Sequence, residues 1–269
     1  KKSLRRRAKR HRAMVEVSVL ATGSSGNCFY LQGNGSGFLV DAGISCLQIR
    51  KRLEAIGKDV SQLKGIFITH EHVDHVRGVR VLAKRYGIPL YVSRGTYEKM
   101  SARVDDVRII GDGDSLSLAC CRVDAFEKCH DAVEPLSFAF SYNDSTVSVI
   151  TDAGIACENT RRWVQKSDIL CLESNYDDVM LAEGPYPYYL KERIKGRYGH
   201  LSNYDAALMV LEHASSRLRH VVLSHLSLNN NTPEKAYETF TSMIRQRSDM
   251  EGLSVSVGRR DVPGELIRL

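Results

Sequence analysis

No stretch of this 269-residue sequence is apolar for long enough to span a membrane, and its N-terminus carries no apolar signal core. Both absences point to a protein that stays inside the cell. Seven cysteines are present, but none forms paired C-x-x-C knuckles, and the vicinal Cys120-Cys121 is not readily bridged by ordinary disulfide geometry. The expected compartment is therefore a reducing cytoplasm. Low-complexity segments and internal repeats are also missing, which leaves a hydrophobic fraction of 43% and a charged fraction of 26%, those of an ordinary globular chain. At this length one large domain suffices.

A net charge of +6 invites a nucleic-acid reading, but eight of the basic residues lie between Lys1 and Arg12, where no acidic residue occurs. The remainder is slightly acidic, so total charge does not define a binding face. Residues 1–13 form a basic arm that reads either as a phosphate-binding tail or as sequence upstream of a domain that opens at Met14.

The stretch that organises the chain is Thr69-His70-Glu71-His72-Val73-Asp74-His75, directly after the apolar strand Ile66–Ile68. In extended backbone, side chains two apart share a side, so His70 and His72 can face one ion. Asp74 and His75 fall where the chain must turn, toward a second ion. Imidazole with carboxylate suits zinc, manganese or iron. Two metals are the working expectation.

Around this stretch the pattern alternates strands and helices. Met14–Leu20 reads as a half-buried strand with Val15, Val17 and Val19 on one side, followed by the tight loop Gly23-Ser24-Ser25-Gly26-Asn27. Phe29–Gln32 and Phe38–Val40 pair around a glycine-rich turn. Helices are expected over 45–56, 76–86, 94–100 and 155–165, with strands over 90–92, 115–123, 137–142, 146–150, 169–172 and 221–223. Ser202 carries a capping-box pattern and Thr232-Pro233 opens a C-terminal helix. An edge strand is expected over 254–257. Asp41 and Asp152 each end an apolar strand and read equally as helix caps or as carboxylates of the metal site. Successive strand ends place Asp41, His70, Asp152, Glu173 and His225, with His130 and His200 in loops between; His11, His213 and His220 read as surface residues. Loops at one rim of layered sheets converge on a site.

This order of residues resembles the metallo-β-lactamase superfamily over nearly all of residues 14–269. The resemblance implies an α/β (α+β) fold, a four-layer αββα sandwich in a single hydrolase domain. It also implies His70, His72 and His130 on one metal, Asp74, His75 and His225 on the other, Asp152 bridging both, and Asp41 supporting the site from behind. The motifs Gly23-Ser24-Ser25-Gly26-Asn27-Cys28, Leu172-Glu173-Ser174-Asn175-Tyr176-Asp177 and Gly199-His200-Leu201-Ser202-Asn203 look like the bacterial YycJ (WalJ) branch, whose members are implied to be metal-dependent exonucleases acting on DNA from the 5′ end, with DNA repair as the suggested setting. The pair Glu173 and His200 resembles the acidic residue and histidine that tRNase Z enzymes place near the leaving oxygen. The segment from Asp152 to His225 is too short for the inserted β-CASP clamp domain of RNase J relatives, and no tRNase Z flexible arm is evident.

Two cations in such a ligand set lower the pKa of a shared water and offset phosphodiester charge, so that a bridging hydroxide can attack phosphorus. Asp74, Glu173 and His200 are the expected catalytic residues, His200 serving the departing sugar oxygen. The basic, tyrosine-rich segment 185–198 suits stacking on bases and contact with phosphates, with Arg193 and Arg197 as candidates, or else packs as a plain amphipathic helix. Ser24, Ser25, Asn27, Ser202 and Asn203 complete the expected substrate contacts. The partner is nucleic acid, DNA ahead of RNA, and no membrane. The rival readings are a glyoxalase- or lactonase-like small-molecule hydrolase using the same metals, an RNA-processing nuclease, and a metal-stabilised binding protein without turnover.

Overall fold

A computed structural model of the chain describes residues 14–118 and 120–269; the basic arm lies outside the described residues. The first sheet contains β1 (Val15–Ala21), β2 (Cys28–Gly33), β3 (Ser36–Val40), β4 (Leu63–Phe67), β5 (Leu90–Val92) and β6 (Val107–Ile109), side by side in that order. The second contains β7 (Ser115–Ser117), β8 (Arg122–Glu127), β9 (Leu136–Tyr142), β10 (Ser145–Ile150), β11 (Ile169–Glu173), β12 (His220–Ser224) and β13 (Ser254–Val257), again in sequence order. The last strand, β14 (Ile267–Arg268), returns to the first sheet and pairs antiparallel with β1.

The period-two alternation of the strands builds the layers. Val17, Phe29, Phe38 and Phe67 from the first sheet meet Phe138, Phe140, Val149 and Val222 from the second in one core between the sheets. The alternate residues, such as Leu39, Ile66 and Ile68, face outward beneath α1 (Cys46–Ala55) and α3 (Val79–Tyr86). Leu170, Leu172, Val221 and Leu223 do the same beneath α5 (Glu158–Lys166), α8 (Asn203–His213) and α9 (Pro233–Ile244). Central strands covered on both faces read as continuous apolar runs, as here. Phe67 anchors the middle, stacked on Tyr91 at 4.4 Å and edge-on to Phe138 and Phe140.

Three expectations are corrected by packing. β1 is buried on both faces, because Lys58 and Arg268 pair with Glu16, and Ser18 donates to the Gly264 carbonyl. The helix expected over 76–86 is two, α2 (Val73–Val76) and α3, broken where the Gly78 amide donates to the Ala42 carbonyl at 2.7 Å, so close that a side chain on Gly78 would meet the Ile44 carbonyl at 2.2 Å. The strand expected over 115–123 is a hairpin, β7 and β8, with Leu116 opposite Val123. Ser45 caps α1 and Cys157 stands at the N-cap of α5, so neither Asp41 nor Asp152 is a cap; Ser202 caps α8 and Thr232 caps α9.

The site's location follows from register. β3 and β4 run parallel, as do β10, β11 and β12, with Leu172 opposite both Ile150 and Leu223. Parallel strands in register bring their carboxyl ends to one rim, where α/β sheets bind ligands.

Candidate metal centre and nucleic-acid cleft

On the first sheet, Asp41 follows β3 and the histidine stretch follows β4. Asp41 is fully buried and accepts from the Thr69 amide at 2.8 Å, from Thr69 Oγ1 at 2.9 Å and from His75 Nδ1 at 2.7 Å. A carboxylate so placed fixes the His75 tautomer and presents Nε2 to the site. The ring nitrogens His70 Nε2 and His72 Nδ1 lie 2.9 Å apart, and those of His70, His72 and His130 all gather within 4.8 Å. Asn27 Nδ2 lies 3.0 Å from His75 Nε2 and 3.3 Å from the Asp74 carboxylate.

On the second sheet, Asp152, Glu173 and His225 stand just beyond or at the ends of β10, β11 and β12. Asp152 Oδ2 is 3.3 Å from His75 Nε2, and its Oδ1 is 3.4 Å from His225 Nε2. Glu173 is fully buried: Oε1 takes both His200 Nδ1 and His225 Nδ1 at 2.8 Å, while Oε2 accepts from the amides of Ala153 and Leu201. The Thr22 hydroxyl accepts from the His225 amide at 2.6 Å, and Asn175 Nδ2 donates to its carbonyl.

Three of these residues adopt left-handed backbone: Asp41 at φ 60°, Asp152 at 52° and His225 at 56°. Each such non-glycine conformation costs on the order of 1–3 kcal/mol and clusters at functional sites. The bend turns each side chain from strand direction into the rim.

Electrostatics separate the histidines. Burial holds His70 well below its ordinary range and pushes His130 down to about 3, so both present neutral rings. Burial would depress His75 too, but Asp152 and Asp41 outweigh it and raise it to about 10. His225 is likewise raised well above its usual value, against burial, by Asp152, Asp74 and Glu173. Glu173 falls to about 2 despite burial because His200 and His225 hold its charge. Two fully enclosed nitrogens, His130 Nε2 and His225 Nε2, make no hydrogen bond among the described residues. Unpaired buried ring nitrogens facing carboxylates are what a divalent cation satisfies, and the imidazole and carboxylate donors fit one.

The cleft over these ligands, about 250 Å³, is lined by Ser24, His72, Asp74, Asp152, Arg193, Tyr198 and His200. Ser202 and Asn203, expected to touch substrate, do not line it: Ser202 is occupied as the α8 cap, and Asn203 is buried on Ser174 and Asn231. Asn27 is buried beneath the ligands. Segment 185–198 forms α7 (Tyr188–Lys195) and the turn after it; Arg193 reaches the cleft while paired to Asp131 at 2.6 Å, and Arg197 lies over Tyr198. Sequence reasoning missed the second hydrogen bond of Glu173, to His225, and missed Lys128, which is buried and donates to the Thr151 carbonyl at 2.6 Å. No local pattern marks either.

Residues 21–116 match the Lactamase_B family of the metallo-β-lactamase superfamily. Exodeoxyribonuclease YycJ of Bacillus anthracis is 33% identical over 238 residues, covering 87% of this chain and 90% of that protein. The chain belongs to the metallo-β-lactamase superfamily. Within the superfamily, Exodeoxyribonuclease WalJ of Streptococcus pneumoniae serotype 2 is 36% identical over 238 residues, covering 86% of this chain and 88% of that protein. The metallo-β-lactamase fold protein YhfI from Bacillus subtilis shares the fold with a TM-score of 0.72 at 16% identity, over 96% of this chain and 100% of that one. The expected αββα class and YycJ (WalJ) kinship are borne out, and the chain is a metallo-β-lactamase-fold hydrolase whose histidine and aspartate clusters suit divalent metal. Among the described residues no helix is long and apolar enough to cross a membrane.

Proposed function

We propose that this chain is a cytoplasmic nuclease that holds two divalent ions, zinc or manganese, and degrades DNA from the 5′ end in the service of DNA repair. His70, His72 and His130 would hold one ion, Asp74, His75 and His225 the other, with Asp152 between them. When bound, such ions supply water activation and neutralise charge on a phosphodiester.

The observation that carries the reading is Glu173 Oε1, shared at 2.8 Å between His200 Nδ1 and His225 Nδ1. It accepts from His200 Nδ1–H and fixes the ring, so that in the imidazolium form the Nε2–H can hand its proton to a departing oxygen. An alkoxide leaving a phosphodiester needs that proton at neutral pH, whereas a thiolate leaving a thioester does not. Tyr198 and Arg193 line the same cleft and can stack on a base and meet a phosphate. The names of the two curated relatives, both exodeoxyribonucleases, support the same substrate class.

The test is digestion of end-labelled duplex DNA, single-stranded DNA and RNA, beside a thioester, with manganese or zinc. Stepwise shortening of DNA from the 5′ end, lost in Asp74→Ala and His200→Ala, is the expected result. Cleavage of the thioester alone would overturn the nuclease and leave a small-molecule hydrolase.

A further inference from the structure

Beside the cleft lies a larger groove of about 760 Å³, between the start of α9 and the segment after β13, lined by Thr22, Leu226, Asn231, Tyr237, Val257 and Arg260. It holds no cluster of metal-type ligands and shares no lining residue with the catalytic cleft, but its edge approaches the cleft through one side-chain contact. Ser24 lines the cleft, and the Arg260 guanidinium, at the groove's edge, lies 3.5 Å from Ser24 Oγ and 3.3 Å from Ser25 Oγ.

Arg260 is held rather than free. Its main-chain carbonyl accepts from Arg52 at 3.0 Å, its Nη2 donates to the Leu226 carbonyl at 2.9 Å, and its guanidinium lies flat on Gly23, where a Cβ would meet Nη1 at 2.9 Å. Gly23 has φ +99° and leaves the space the guanidinium occupies. Arg77 approaches the same loop from the other side and donates to the Ser25 carbonyl at 3.0 Å. Among the described residues neither arginine forms an ion pair. The serine contacts are at the long end of hydrogen bonding and leave part of the guanidinium fork unused. A fixed guanidinium beside two exposed hydroxyls, with the groove's Glu234 and Asp261 beyond 4.0 Å of it, matches a phosphate.

We propose that Arg260, with Ser24, Ser25 and Arg77, binds a backbone phosphate next to the scissile one, and that the groove receives the attached nucleoside against Tyr237. This subsite rests on the nuclease reading and extends it: His200 and the turn after α7 form one wall of the cleft, and the Ser24 loop leads the strand out along another. On this proposal a strand would pass from the cleft over Ser24 to the larger groove.

The test is fluorescence anisotropy of labelled single-stranded DNA and RNA oligonucleotides, titrated with manganese over 50–200 mM KCl, for a turnover-deficient His200→Ala parent and its Arg260→Gln and Arg260→Lys derivatives. Arg260→Gln should weaken binding about tenfold at the lowest salt and flatten the slope of log K against log salt by about 0.7, one single-strand phosphate contact. Arg260→Lys keeps the charge and should keep the slope while losing part of the affinity. A purely structural role for Arg260 would lower the melting temperature without moving the slope. An Arg260→Gln slope and affinity equal to the parent's, in a parent that does bind, would remove the subsite and leave the nuclease reading intact. A parent that binds neither DNA nor RNA would remove that reading, and the subsite with it.

Discussion

Both sheets end a central strand in the same three residues, and the two corners do different work. Asp41-Ala42-Gly43 follows β3 and Asp152-Ala153-Gly154 follows β10. Each aspartate is buried with left-handed backbone, and each glycine lies where another segment crosses: a Cβ on Gly43 would fall 1.6 Å from the Asp74 carbonyl, and one on Gly154 2.2 Å from that of Arg197. The neighbours set the roles apart. Beside Asp41 the chain after β4 supplies Thr69 and the Nδ1 of His75, so the carboxylate is filled with donors. Beside Asp152 the end of β11 supplies Glu173, which itself takes the Ala153 amide; the Asp152 oxygens then face ring nitrogens of His75 and His225. A shared local motif thus yields a support in one place and a proposed ligand in the other. What decides is whether donors on the neighbouring strand saturate the carboxylate.

The sharpest way to break this contrast is to neutralise each aspartate in turn. Asp152→Asn should lower turnover roughly 10³-fold or more with the circular dichroism spectrum unchanged, since it removes charge where the reaction needs it. Asp41→Asn should act more mildly, through His75, weakening metal retention about 10–100-fold in a chelator competition while saturating metal restores much of the rate. Equal losses from both substitutions, neither rescued by metal, would erase the distinction between ligand and support.

The contrast also explains what could be read in advance. The first sheet delivers its donors in one contiguous run from His70 to His75, so local spacing revealed them. The second delivers one residue per strand, and Asp152, Glu173 and His225 become neighbours only through the parallel register of β10, β11 and β12. From pattern alone Asp41 and Asp152 were indistinguishable from helix caps, because a cap and a strand-end ligand place the same residue types at the same boundary. Family resemblance ordered the ligands; it did not reveal that Glu173 holds His200 and His225 together. The expected substrate contacts were the least legible. Ser202 and Asn203 are spent on a cap and on buried hydrogen bonds, whereas Arg260, proposed above to meet a phosphate, touches Ser24 from a distant segment that no local motif marks.

His75 touches both corners and gives a pH test of them. Asp152 and Asp41 overcome burial to raise it to about 10, so in chelated protein it carries a proton at neutral pH. That imidazolium stabilises the metal-free fold fully below its ordinary value of 6.5, and the contribution is lost as pH rises through about 10. A metal ligand must be deprotonated, so metal uptake releases this proton and affinity rises with pH, about tenfold per unit for each proton released. Calorimetric titration at pH 7.5 in two buffers of different protonation enthalpy should report at least one proton released. Asp41→Asn removes one of the three carboxylates around His75, with Asp152 and Asp74, and should reduce that number; an unchanged count would show that Asp41 does not set the charge of His75.

The smallest effect lies in the backbone. Asp152 at φ 52° holds a conformation that glycine adopts freely, while its carboxylate accepts from Thr151 Oγ1 at 2.7 Å and faces the His75 and His225 rings. In chelated protein Asp152→Gly should therefore be more stable than Asp152→Ala by about 1 kcal/mol, read as a higher denaturation midpoint. At Asp41 the same glycine relieves the same strain, but both substitutions abandon the Thr69 and His75 donors inside the fold, each loss worth roughly 1–3 kcal/mol. Asp152→Gly likewise abandons the Thr151 hydroxyl and the two imidazoles, so both glycine variants should fall below the parent, and at each corner glycine should exceed alanine by about 1 kcal/mol. An alanine variant as stable as its glycine counterpart at either corner would show that the left-handed backbone there stores no strain.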